Sequence, residues 1–176
     1  MMSVNLKGVQ KAAKQLQELV LKTPLIYNEG LSEELSAEVY FKREDLQKVR
    51  SYKLRGAYNK MLSLDANERI AGIVCASAGN HAQGVAYACS ALGVRGCIYL
   101  PAPTPKQKLR QIEMFGKGMV EIVLEGDTFD DSYALARRFA SKNNRPFIHP
   151  FNDKHVIEGQ GTMGLEVIES IGKPID

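Results

Sequence analysis

The sequence has no tryptophan, three cysteines and three histidines, and these scarcities narrow what its 176 residues do. Cys75, Cys89 and Cys97 are odd in number and show no CxxC spacing. A disulfide framework and a thiolate metal site are therefore disfavoured, and the three are expected as buried reduced thiols on a strand, a helix and a strand. His149 and His155 lie near Asp153 and Glu158 but lack HxxxH or HExxH spacing, so no metal is expected. No apolar run approaches the roughly 20 residues that cross a bilayer, and the N-terminus has no basic stretch leading into a hydrophobic core. A cytoplasmic protein with no membrane partner is expected. Single-sign charge is absent too: 23 basic residues interleave with 20 acidic ones for a formal charge of +3, so no nucleic acid is expected as a partner.

What is present is a globular composition, 44% hydrophobic and 24% charged, of a size for one domain or two small lobes. Leu6, Val9, Ala13, Leu16 and Val20 fall at helical spacing, which predicts a helix over 5–20 with Ser3 as a cap. Short strands are predicted at 25–26 and 39–41 around a brief helix at 31–36. Lys42-Arg43-Glu44-Asp45 follows, too polar to be buried without partners. Leu54, Ala57, Tyr58 and Met61 predict a helix from 53 to about 64.

A βα rhythm begins there. Strands are predicted at 72–76, 97–100 and 120–124, helices at 80–92, 105–115 and 130–142, and a short fourth strand at 147–148. Gly93 and Gly116 read as helix stops. Apolar strands alternating with helices specify an α/β fold, three-layered, with a parallel-rich sheet.

Two stretches carry chemistry. Lys53, in Ser51-Tyr52-Lys53-Leu54-Arg55-Gly56-Ala57, opens a helix, where the helix dipole disfavours an ammonium; a lysine so placed is a better amine nucleophile, although most lysines are solvated surface charges. Ser77-Ala78-Gly79-Asn80-His81 joins a strand to a helix start. Its small residues and the free N–H groups behind them suit a phosphate or carboxylate, and equally suit an ordinary tight turn.

Together with Lys42-Arg43-Glu44-Asp45-Leu46-Gln47, Gly126-Asp127-Thr128-Phe129-Asp130 and Val156-Ile157-Glu158-Gly159-Gln160-Gly161-Thr162, these stretches resemble the fold-type II pyridoxal phosphate enzymes, and among them most the biosynthetic threonine deaminases, or threonine dehydratases. The resemblance runs from about residue 16 to the end. It implies pyridoxal 5'-phosphate as cofactor, Lys53 as the Schiff-base lysine, and Asn80 on the cofactor's 3-hydroxyl. Ser77, Ala78, Gly79, Asn80 and His81 would cradle a substrate carboxylate, with His81 as scaffold. Tyr52 has two open readings, a ring near the cofactor or a half-buried core contact.

The implied lyase reaction converts L-threonine to 2-oxobutanoate and ammonia, a step of isoleucine biosynthesis among the branched-chain amino acids. Ala78 stands where similar serine racemases have a proton-bearing serine, which favours dehydration over racemisation. An L-serine dehydratase is the near alternative. The resemblance also divides the chain into a complete small lobe, 55–150, inserted in parts of a large lobe, 1–54 and 151–176. It expects the glycine-rich phosphate loop beyond Asp176, and a homo-oligomer. A catalytically silent α/β fragment is thus the second expectation.

Overall fold

The computed structural model describes residues 3–175. Helix α1 (Leu6–Leu16) is capped by Asn5, whose side-chain oxygen accepts from the Gly8 N–H at 2.9 Å, in place of Ser3. It stops four residues before Val20 because the Leu16 carbonyl is shared by the Leu19 and Val20 N–H groups in a closing turn. Strand β1 (Leu25–Tyr27) pairs antiparallel with β2 (Tyr40–Lys42), and α2 (Glu29–Leu35), capped by Asn28, joins them. A 3-10 turn, Glu44–Leu46, leads towards α3 (Lys53–Leu62).

The next helix, α4 (Ala66–Ala71), has no apolar stripe to announce it, and none of its residues is buried. A reciprocal capping box between Asp65 and Glu68 marks its start. From there β3 (Ile73–Ala76), α5 (Asn80–Leu92), β4 (Gly96–Leu100), α6 (Lys106–Gly116), β5 (Val120–Leu124) and α7 (Phe129–Lys142) alternate as expected. Gly93 takes a left-handed φ of 66° to end α5; α6 is ended instead by Lys117, at φ 46°.

Strands β3, β4 and β5 form one parallel sheet in that order. The predicted fourth strand shrinks to a single parallel bridge between Phe147 and Val74, on the edge of β3 away from β4. Side chains alternate across the sheet. Ile73, Cys75, Ile98 and Leu100 enter a core shared with α3 and α5, whereas Val74, Ala76, Cys97 and Tyr99 pack with Ala136 and Ala140 of α7. Helices on both faces explain why β3 and β4 are buried at every residue, and they make the three layers. All three cysteines are buried and unbridged.

The last helix, α8 (Lys154–Ile171), escapes a reading by apolar period because three glycines interrupt it. One of them is its packing surface. A Cβ on Gly159 would lie 2.6 Å from the Arg55 carbonyl and 2.7 Å from the Gly56 Cα, so α3 and α8 meet backbone to backbone. No helix among the described residues is long and apolar enough to cross a membrane.

Candidate active site

Lys53 is the first residue of α3, where its side chain projects from the mouth of the helix. The preceding loop turns on Arg50, in the left-handed region at φ 55°, and buried Ser51 accepts from the Lys53 N–H at 3.2 Å. The amine is half-buried and donates to the Pro150 carbonyl at 2.8 Å. Burial lowers its pKa below the usual lysine value, and no carboxylate counters that. Tyr52 lies alongside, its ring centroid 5.5 Å from the amine, and is exposed rather than packed in a core.

Facing this amine is the start of α5. Gly84 is the reason the two helices lie so close: a Cβ there would sit 3.1 Å from Leu54 N and 3.2 Å from the Lys53 carbonyl carbon. The helix starts at Gly79 with no side-chain cap. A Cβ on Gly79 would meet no heavy atom within 4 Å, so the loop fronts open space, and Asn80 is exposed there. Ser77 accepts from the Gly79 N–H at 3.2 Å and donates its own N–H to Tyr99 O. Those two N–H groups are therefore engaged within the protein, which leaves anion binding to the N–H groups of the first turn of α5. Ala78, partly buried, packs against the core.

His81 is buried, with Nε2 3.0 Å from the Ile148 carbonyl. Burial lowers its pKa to about 4; the Ile148 bond opposes that shift, and the charges of Lys53 and His149 add to it. The ring is thus neutral at neutral pH, which suits a scaffold. Its Nδ1 has no partner among the described residues. Both carbonyls, of Ile148 and Pro150, come from the segment that bridges to β3, where the Ile148 N–H donates to Val74 O at 2.8 Å.

Sequence reasoning placed a strand at 147–148 but missed this segment's part in the site, since a backbone carbonyl leaves no signature in residue type. It also missed Arg55, which has no exposed surface. Its guanidinium bonds Glu44 at 2.8 and 2.9 Å and Glu166 at 2.7 and 3.0 Å, and Lys42 lies 2.5 Å from Glu166. Burial alone would push the Glu44 carboxyl up; hydrogen bonds from Arg55 and Thr23, with the Arg55 and Lys42 charges, outweigh it and hold Glu44 below the usual carboxylate range. The polar run at 42–45 thus finds the partners it requires. The signal available was an arginine one residue after Leu54 on an otherwise buried helix.

A reactive amine of lowered basicity, an uncapped helix start and open space between them suit an aldehyde cofactor and a carboxylate-bearing substrate. Residues 16–176 match the family model described as pyridoxal-phosphate dependent enzyme. The chain belongs to this family. It is 50% identical over 168 residues to the biosynthetic L-threonine dehydratase IlvA of Bacillus subtilis (strain 168), a match covering 96% of the chain and 40% of that relative. Among solved structures, it superposes on serine racemase from Dictyostelium discoideum with a TM-score of 0.88 at 34% identity, covering 97% of the chain and 54% of that one. With the processed form of threonine deaminase isoform 2 from Solanum lycopersicum the TM-score is 0.85 at 37% identity, covering 96% and 47%. The fold is that of the fold-type II pyridoxal phosphate enzymes, and the chain spans about half of these solved chains.

Proposed function

We propose that this chain carries the lysine-bearing part of a pyridoxal-phosphate-dependent L-threonine dehydratase, which releases 2-oxobutanoate and ammonia for isoleucine biosynthesis. The observation that carries the reading is the half-buried Lys53 amine, held by Pro150 O opposite the uncapped start of α5. Identity to a threonine dehydratase over 96% of the chain supports the choice of reaction.

In this reading Lys53 would hold the cofactor, Tyr52 would flank it, and Asn80 would bond its 3-hydroxyl. When bound, pyridoxal phosphate supplies an electron sink for charge at the substrate Cα. The Lys53 amine would take the proton from the substrate Cα, a role that suits its lowered basicity. The stretch from Ser77 through Ala78, Gly79 and Asn80 to His81 positions the substrate carboxylate, through the first-turn N–H groups of α5. Ala78 brings no exchangeable proton, so a removed Cα proton has no donor at that position and elimination is favoured.

The same reading divides the chain into a small lobe, 55–150, and large-lobe parts, 1–54 and 151–176. The Arg55 network supports it, since Glu44 and Glu166 reach Arg55 from either side of that insertion. Three buried unpaired thiols support a reducing compartment, the cytoplasm. Exposed Ile26, Tyr27 and Phe41 on the β1–β2 pair support a homo-oligomer.

The chain spans 40% of its Bacillus relative, which is consistent with a second reading as a catalytically silent α/β module. Adding pyridoxal phosphate to the 176-residue chain decides between them. A visible absorbance band that Lys53→Ala abolishes, with 2-oxobutanoate formed faster from L-threonine than the corresponding product from L-serine, is the expected result. A folded chain that forms no band rules out catalysis by these residues alone.

A further inference from the structure

His149 stands between the two residues whose carbonyls serve the site, Ile148 at His81 and Pro150 at Lys53. Its ring folds forward over its own backbone, where Nδ1 accepts from the Asn152 N–H at 2.7 Å and from the Phe151 N–H at 3.1 Å. A nitrogen that accepts from two amides carries its lone pair, so the proton of the neutral ring lies on Nε2. The turn closed by these bonds runs from 149 to 152 and contains buried Pro150, whose carbonyl receives the Lys53 amine at 2.8 Å.

Aromatic neighbours hold the ring in turn. Phe151, Tyr133 and Phe147 stand edge-on to it at centroid distances of 4.6, 5.9 and 6.2 Å. The titratable and charged groups that face it are Tyr133 and Arg137 of α7, Asp153 at the start of α8, Lys53 of α3 and His81 of α5. Burial lowers the His149 pKa below the usual histidine value, the Arg137 and Lys53 charges add to that, and Asp153 opposes it. The ring is thus neutral at neutral pH, the form in which Nδ1 can accept. A proton on Nδ1 would set N–H against N–H, and both bonds would be lost.

We propose that His149 is a positioning residue for the Lys53 amine: by accepting from the Phe151 and Asn152 N–H groups it closes the turn that aims the Pro150 carbonyl at Lys53, and taking up a proton opens that turn. The assignment concerns an amine of this chain and holds whether or not that amine carries pyridoxal phosphate. Asparagine is the substitute that separates acceptor from titration. Its Oδ1 stands the same number of bonds from Cα as the histidine Nδ1 and accepts as well, but it takes up no proton in this pH range.

NMR on the 176-residue chain and two variants tests this. In the wild type, a nitrogen–proton correlation spectrum of the ring should place the His149 proton on Nε2 at neutral pH. The Phe151 and Asn152 amides should exchange several-fold faster, relative to an unstructured chain, as the pH falls below 6.5, while the amides of β4 stay protected. His149→Asn should keep the protection at every pH. His149→Leu should lose it at every pH, and the titration of the Lys53 ε-carbon should move up towards the usual lysine value, because release of the turn returns the amine to solvent. Neither leucine nor neutral histidine carries a charge, so that movement reports the missing acceptor; in His149→Asn the Lys53 titration should match the wild type. If His149→Leu does not fold, the pH profile of the wild type against that of His149→Asn still decides. A proton on Nδ1 at neutral pH, amide exchange at 151 and 152 that ignores the His149 titration, or a Lys53 that titrates alike in all three folded chains overturns the proposal.

Discussion

At the scale of single residues, two basic side chains of the site have their basicity lowered by the same cause. Burial lowers Lys53 without an opposing carboxylate, and it lowers His81 to about 4. For His81 this sets a pH dependence. The unfolded ring titrates near 6.5, the folded one near 4, and between them the unfolded chain binds more protons. Stability is therefore full above pH 6.5 and falls as the pH drops towards 4, by roughly 3 kcal/mol from this residue alone. Urea titrations of wild type and His81→Gln at a series of pH values should show the gap between them narrowing by that amount. A gap independent of pH would mean that His81 titrates normally in the folded chain.

How far these residues were legible differs by kind. Lys53 and the loop from Ser77 to His81 stand out because their types and spacing are distinctive, and the structure brings them to facing helix starts. Pro150 did not, because its contribution is a carbonyl, which every residue has. Nor did the engagement of the Gly79 N–H by Ser77, since composition shows that small residues permit a close ligand but not which amides remain free.

Among the elements, α5 and β5 were predicted at the bounds observed, because their apolar periods run to clear stops. The failures were α4 and α8, each for a physical reason: α4 buries nothing and rests on a capping box, and α8 packs through glycines that dilute any apolar stripe. Glycine also sets the spacing at the site. Gly84→Ala would bring a Cβ to 3.1 Å from Leu54 N, a backbone atom that has no rotamer to escape into. The expected cost is about 1–3 kcal/mol in thermal or urea unfolding. Uptake of pyridoxal phosphate should weaken along with it, because relief of the contact pushes the first turn of α3 from the start of α5. An unchanged unfolding midpoint would show that the helices part without penalty.

For the molecule as a whole, the Arg55 network joins elements distant in sequence: β2 through Lys42, the 3-10 turn through Glu44, α3 through Arg55 and α8 through Glu166. Two cations face two carboxylates, so the cluster is neutral, and the loss of any member leaves a buried charge unbalanced. Arg55→Met should destabilise the chain by about 3–5 kcal/mol in urea unfolding, and adding Glu44→Gln should restore part of that. Simple additivity of the two would show that the partners do not act together. The α/β class and layer order were legible at this scale because a βα rhythm needs only local pattern, whereas the network needs long-range pairing.

The contact between Lys53 and Pro150 also orders events in time. Lys53 and Pro150 are 97 residues apart in sequence. At synthesis rates of roughly 5–20 residues per second, the carbonyl that receives the amine is made about 5 to 20 seconds after the lysine itself. Throughout that interval the amine has no Pro150 to donate to, and it becomes half-buried only when residues 147–150 dock on β3. The burial that lowers its basicity is completed late in the life of the nascent chain, and an amine-reactive label timed against translation would read the moment at which the site closes.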